Sequence, residues 1–325
     1  MNQSLKIFGN DSLLELIGSM KSSGRVPHAI VLFGPEGVGK KTIAKYLAAQ
    51  FLCSDPKDNS PCMQCKSCRM LLHDNHPDII WVKHSGKNNY KIDDFRPICT
   101  NAYIPPNESE RKIYIIPDFD KAKKDIQHVL LKVIEEPPAS SSFIFTAKNK
   151  ECFLETIISR VISLGVTEVS EEECKNALLH FGISEDNADK AIYRFRGNIG
   201  KCLEFINNKD LQNTISTAEA IASAIAKKDE YGFISAFSTS DRDEAKDIIT
   251  LLIDIMRDAC ALRLGSQITI SCCKDVAKQI STITNTTKCN AIIDVLNTAF
   301  TRLDGYGAAN IVISALSAQI KSILS

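Results

Sequence analysis

The segment Gly34-Pro35-Glu36-Gly37-Val38-Gly39-Lys40 decides how this chain is read. It follows a short apolar run, Ala29 to Phe33, and precedes a helix-like stretch, Lys41 to Phe51. Strand, glycine turn, lysine and helix in that order make a Walker A phosphate loop, because the glycines let backbone N–H groups turn inward on phosphate oxygens. The helix N-terminus adds positive potential, and Lys40 reaches the outer phosphates. A glycine turn that merely joined strand to helix would need no lysine here. Gly34, Gly37, Gly39, Lys40, Lys41 and Thr42 are therefore the candidate nucleotide-binding residues, with ATP or ADP as the expected ligand. One position departs from the motif. Lys41 stands where a Ser or Thr hydroxyl should help to hold Mg²⁺, and the hydroxyl of Thr42 comes one residue late, so the hold on Mg²⁺ is weakened.

Outward from the loop, short apolar runs recur at Asp78 to Val82, Lys112 to Ile116, Ser142 to Thr146 and Val161 to Leu164, separated by helix-like segments. Such alternation predicts an α/β fold with strands buried in a parallel sheet. A Walker fold needs an acidic element at the end of a later strand, where an Asp contacts hydrated Mg²⁺ and a Glu orients water. The matching segment is Ile113 to Asp120, in which Pro117 takes the Asp position and Asp118 that of the Glu. If the strand ends one residue later, Asp118 serves the metal and Phe119 replaces the water-positioning acid. Either register loses a carboxylate, and Asp118 is the residual candidate. The competing reading has Asp118 and Asp120 simply capping the next helix.

Cys53-x8-Cys62-x2-Cys65-x2-Cys68 brings four thiols into a polar stretch that is not expected to form regular structure. Four thiolates close a tetrahedral Zn²⁺ shell and leave no open position, so the metal is expected to be structural. Free thiols are the alternative, but two consecutive C-x2-C steps seldom arise from packing. His73 and His76 are read as ordinary polar residues. The other eight of the twelve cysteines are scattered and read as small core residues.

At 325 residues the chain has room for two or three packed units. Its 39 basic and 39 acidic residues cancel, which excludes a broad electrostatic field for nucleic acid. There is no apolar run of membrane length, and Met1 to Lys6 lacks the build of a signal peptide, so a cytoplasmic protein is expected. After Thr167 the pattern becomes helical throughout. Ser170 and Glu173 form a capping box for Glu171 to Phe181, which Gly182 closes; two short helices follow, one ending near Gly197 and one over Ile199 to Asn207. Longer periodic stretches, Leu211 to Lys228, Asp241 to Leu264, Ala291 to Leu303 and Asn310 to Leu324, predict a bundle.

Taken with the phosphate loop and the cysteine insertion, the segments His76-Pro77-Asp78, Leu130 to Pro138 and Thr156-Ile157-Ile158-Ser159-Arg160 make the chain similar to bacterial clamp-loader AAA+ subunits of DNA polymerase III. Gly24 to Ala29 looks like the family's lead-in to the first strand, and the likeness runs through about Ile206. It implies a P-loop AAA+ domain over residues 1–165 with a zinc insertion at 53–68, a three-helix lid over 166–209, and a helical, collar-like oligomerisation domain over 210–325. Lys41, Pro117 and the segment Gly197 to Leu203, where active members carry an arginine near Lys201, make it resemble the delta-prime subunit, whose own ATP site is degenerate. Ser159-Arg160 matches the family's Ser-Arg-Cys motif, with Val161 for the cysteine. The resemblance makes Arg160 an arginine finger that completes a neighbour's ATP site; without it, a surface ion pair would be the preferred reading. Glu135 and Glu136 diverge by about 100° on a helix and are read as solvated or interface residues.

The partners implied are gamma/tau-like and delta-like subunits in a hetero-oligomeric ring, with the sliding clamp and primed DNA reached through the assembly. The alternative is a gamma/tau-like ATPase that hydrolyses in its own P-loop, with Lys40 on phosphate and Asp118 on metal. A third reading makes the cysteine cluster a nucleic-acid module, but Lys57, Lys66 and Arg69 amid Asp55 and Asp58 form a poor phosphate track.

Overall fold

The computed structural model describes residues 5–83, 89–237, 242–266, 268–305 and 309–324. Met1 to Ser4, part of the N-terminal stretch read above, lie outside the described residues. The chain divides into two compact units, one of residues 1–188 with 196–201 and one of 189–195 with 202–325. The boundaries between the two units fall within the three helices expected as a lid.

The first unit is α/β. Helix α1 (Asp11–Ser22) leads to β1 (Ala29–Phe33), α2 (Lys40–Leu52), α3 (Lys66–Leu72), β2 (Ile79–Trp81), α4 (Ile92–Asn101), β3 (Lys112–Ile116), α5 (Lys124–Glu135), β4 (Ser141–Ala147), the short α6 (Glu155–Ile158) and β5 (Ile162–Gly165). All strand pairs are parallel, in the order β2-β3-β4-β1-β5. A parallel sheet must be covered on both faces, and alternate residues divide accordingly. Val31, Tyr114, Ile116, Phe143 and Phe145 enter one apolar cluster with α4 and α5. Ile30, Leu32, Ile113, Ile115 and Ile144 enter the other with α1 and α2. Pro137 and Pro138 end α5 as their missing N–H donors require.

Beyond the sheet, α7 (Glu171–His180) starts at the expected capping box: Glu173 N donates to Ser170 Oγ at 3.2 Å, and Ser170 N to Glu173 Oε2 at 2.8 Å. Then come α8 (Glu185–Phe195) and α9 (Ile199–Asn207), within which the division between units falls. The second unit contains α10 (Lys209–Lys227), α11 (Glu230–Phe237), α12 (Arg242–Arg263), α13 (Lys274–Ile283), α14 (Thr286–Asp304) and α15 (Ala309–Leu324) around one apolar cluster that includes Ile221, Ile248, Leu252, Ile280 and Leu296. No helix among the described residues is long and apolar enough to cross a membrane.

One expectation is corrected. The cysteine stretch is not wholly irregular: Lys66–Leu72 is a helix, and the Cys65 sulfur accepts from the N–H of Cys68 at its first turn. A cysteine serving as N-cap gives no conventional sequence signal, which is why the helix was missed.

Candidate functional site

The glycine loop lies between the end of β1 and α2. Gly37 and Gly39 have φ of 86° and 89°, a region costly for residues with a Cβ. The Lys40 ammonium is drawn back onto its own loop, donating to the carbonyls of Gly34 at 2.7 Å and Pro35 at 2.6 Å. Burial lowers the Lys40 pKa, and Asp118, Asp120 and Glu36 offset part of that effect.

The residue replacing the expected hydroxyl is not idle. Lys41 Nζ lies 2.8 Å from Asp118 Oδ2, and Lys121 Nζ lies 3.7 Å from the same oxygen. Burial alone would raise the Asp118 carboxyl; the hydrogen bond and charge of Lys41, with Lys121 and Lys40, outweigh it and hold the pKa below the usual value. Because β3 ends at Ile116, Asp118 is two residues past the strand, with a left-handed φ of 50° and its N–H on Thr146 Oγ1 at 2.9 Å. Its side chain makes no cap hydrogen bond. Phe119, the next residue, is buried in an aromatic group with Phe145 and Phe153, centroids 4.9 and 5.0 Å away. Asp120 Oδ1 accepts from Lys148 N at 3.2 Å, and Lys148 Nζ pairs with Glu36 at 3.2 Å.

The first turn of α9 meets the glycine loop, a contact that sequence reasoning missed. Gly200 N donates to Gly37 O at 2.9 Å, and Asn198 Nδ2 donates to Glu36 O at 2.8 Å. A Cβ on Gly37 would lie 2.2 Å from Asn198 Oδ1, and one on Gly200 2.4 Å from Gly37 O. These glycines therefore serve a close backbone approach as well as a turn. The segment Gly197 to Leu203 was singled out in the sequence, but its hydrogen bonds span some 160 residues and have no local signature.

The four sulfurs of Cys53, Cys62, Cys65 and Cys68 lie within 4.8 Å of one another, with Cys53 and Cys62 at 3.5 Å. A tetrahedral Zn²⁺ with ~2.3 Å bonds sets sulfurs about 3.8 Å apart, so the donor set is compatible with zinc. Backbone N–H groups of Cys62 and Cys65 point at the sulfurs of Cys53 and Cys62, both at 3.3 Å, an arrangement that favours thiolates. Cys65 has its pKa lowered to about 6: burial opposes this, and N–H groups of Cys68 and Ser54 prevail. Cys68 is raised, first by burial and then by its bond with Cys65. His76 is no part of the cluster. Its Nδ1 accepts from Asp78 N at 3.1 Å and its Nε2 lies 3.2 Å from Ser109 Oγ.

Arg160 precedes β5, at the sheet edge where the strands begin, whereas the glycine loop follows β1 at the edge where they end. A five-residue strand separates the two edges by roughly 17 Å. Arg160 and Glu135 form an ion pair at 3.3 Å with side chains 43% and 41% exposed, so the surface-pair reading holds as geometry. Arg160 also donates to Thr156 O at 2.8 Å and Ser159 Oγ at 3.2 Å. With Arg25, Arg111, Pro137 and Pro138 it lines an open cavity of about 400 Å³. Arg25 stood in the lead-in segment, but neither it nor Arg111 was read as part of a site.

Residues 9–170 match the family described as DNA polymerase III, delta subunit. DNA polymerase III subunit gamma of Buchnera aphidicola is 27% identical over 253 residues, covering 75% of this chain and 70% of that protein. Subunit tau of Salmonella typhimurium is 25% identical over 252 residues, 76% of this chain but only 38% of tau, so the chain spans much less than the whole of that relative. A DNA polymerase III gamma-subunit-related protein from Thermotoga maritima superposes with a TM-score of 0.51 at 15% identity, over 97% of this chain and 99% of that one.

Proposed function

We propose that the chain, whose residues 9–170 match the DNA polymerase III delta-subunit family and which is similar to gamma and tau subunits, is a delta-prime-like clamp-loader subunit, with a degenerate ATP site and an arginine finger for a neighbour. In this reading residues 1–165, 166–209 and 210–325 act as AAA+ domain, lid and collar of a cytoplasmic protein. The ring would also hold gamma/tau-like and delta-like subunits, and act on the sliding clamp and primed DNA. Cys53, Cys62, Cys65 and Cys68 hold a structural Zn²⁺. The glycine loop, with Lys40 and Thr42, holds ATP or ADP.

The observation that carries the reading is the position of Arg160. It lies at the sheet edge opposite its own phosphate loop, so its guanidinium can serve only a nucleotide bound by another molecule. Arg25 and Arg111 on the same cavity add positive charge where an anion would arrive. The Glu135 pair, half exposed, is weak enough to be exchanged for a phosphate. Arg160→Ala should leave this chain folded, yet lower ATP turnover of the reconstituted loader by at least about tenfold. Unchanged turnover would remove the trans-arginine role.

One observation favours the second reading, an ATPase acting in its own P-loop: the relatives described above are named gamma and tau. The purified chain with Mg²⁺-ATP separates the two. Delta-prime-like behaviour predicts no turnover above background, whereas turnover abolished by Lys40→Ala would establish the gamma/tau-like alternative.

A further inference from the structure

Around the glycine loop, the position normally given to a hydroxyl carries an ammonium, and that ammonium sits on the carboxylate a divalent cation would need. Lys41 Nζ is 2.8 Å from Asp118 Oδ2, with Lys121 behind it at 3.7 Å. Mg²⁺ requires near-octahedral oxygen ligands at about 2.0–2.1 Å. An ammonium bonded to the same oxygen takes up one of its lone pairs and sets a like charge beside any cation bound there. The next position adds no acid, because Phe119 is buried in the core, and one oxygen of Asp120 accepts from Lys148 N. Thr42 is one residue further along α2, about 100° around the helix from position 41. The charge needed for a polyphosphate is nevertheless present: Lys40, Lys41, Lys121 and Lys148 supply four ammonium groups against the carboxylates of Glu36, Asp118 and Asp120.

We propose that Lys41 takes the place of the divalent cation, so that the loop binds nucleoside di- and triphosphates without Mg²⁺. The inference rests on the nucleotide-binding reading of residues 34–42 and deepens it. The Lys41 side chain is 55% exposed and that of Asp118 30% exposed. A half-exposed ion pair is easily exchanged, so the ammonium can turn from the carboxylate to a phosphate oxygen without opening the core. Asp118 then serves to park Lys41 rather than to ligate a metal. A site built this way retains nucleotide and lacks the metal that hydrolysis uses, which fits a subunit whose nucleotide is structural.

Calorimetric titration of the full chain with ADP and with ATP, each in EDTA and in excess Mg²⁺, tests this. Wild-type affinity should agree within about threefold between the two conditions, while Lys41→Thr should tighten about tenfold or more on adding Mg²⁺. Wild-type binding that itself tightens about tenfold with Mg²⁺ overturns the proposal and leaves the nucleotide reading intact. A Lys41→Thr variant that stays indifferent to Mg²⁺ also overturns it, since Lys41 is then not what displaces the metal. Absence of binding by the wild type in either condition overturns the nucleotide reading and this inference with it. Circular dichroism and zinc content check that the variant is folded, and the wild-type arm needs no variant at all.

Discussion

At the scale of single residues, the neighbours Asp118 and Phe119 show how one peptide serves two environments. The φ of 50° at Asp118 presents its carboxylate to Lys41, and the next ring is sealed among Phe95, Phe145 and Phe153. Phe119 therefore anchors the acid as well as filling the core. Phe119→Ala should cost about 3–5 kcal/mol of stability in denaturant unfolding. Asp78 is a second such residue. Its buried carboxylate accepts the N–H groups of Asn107, Glu108 and Ser109 at 2.6, 2.8 and 2.9 Å. Burial would raise its pKa, but these donors prevail and lower it from 3.8. A carboxyl whose pKa is lower folded than unfolded stabilises above the unfolded value and loses that contribution as pH falls through the folded one. The stability gap between wild type and Asp78→Asn should thus be full near neutrality and shrink below about pH 4; a gap independent of pH would show that charge is not what the donors hold.

At the scale of elements, the cysteine insertion ties three helices together. Cys53 follows α2, Cys65 caps α3, and Gly18 of α1 lets Asn59 approach so closely that a Cβ would lie 2.5 Å from the Asn59 carbonyl oxygen. Apart from α3 and the backbone pair of Lys57 and Ser60, the loop is irregular. If the four cysteines hold zinc as proposed, removing it by chelation should lower the melting temperature by roughly 5–10 °C and expose amides of residues 53–72 to hydrogen exchange, while the sheet stays protected. Full protection of 53–72 after chelation would show that packing, not metal, orders the insertion. The second unit has a comparable tie made by a carboxylate: Asp258 of α12 accepts the N–H groups of Ile270 and Ser271, both at 2.7 Å.

At the scale of the molecule, the charges balance. With 39 basic and 39 acidic residues there is no net field to gather phosphates. The isolated chain should bind duplex DNA at micromolar affinity or weaker, with a shallow salt dependence. Tight, steeply salt-dependent binding would instead favour a nucleic-acid role for the cysteine module.

Much of the fold was legible because its signals are local. β1 and β3 coincide with the apolar runs, α7 starts at its capping box, and the glycine loop and cysteine spacing are each contiguous motifs. Elements without such signals were not: α3 capped by a sulfur, α4 with Pro97 inside it, and the short α11 and α13 of the bundle. By itself, the order of residues determined a buried parallel sheet, a glycine loop between β1 and α2, and a cluster compatible with zinc. Only the tertiary structure decided that Lys41 meets Asp118, 77 positions away, that α9 closes on Gly37, and that Arg160 shares a cavity with Arg25 and Arg111. The physical reason is range. Periodicity and turn chemistry act over a few residues, whereas an ion pair or a backbone contact between distant segments exists only after strand order has brought them together.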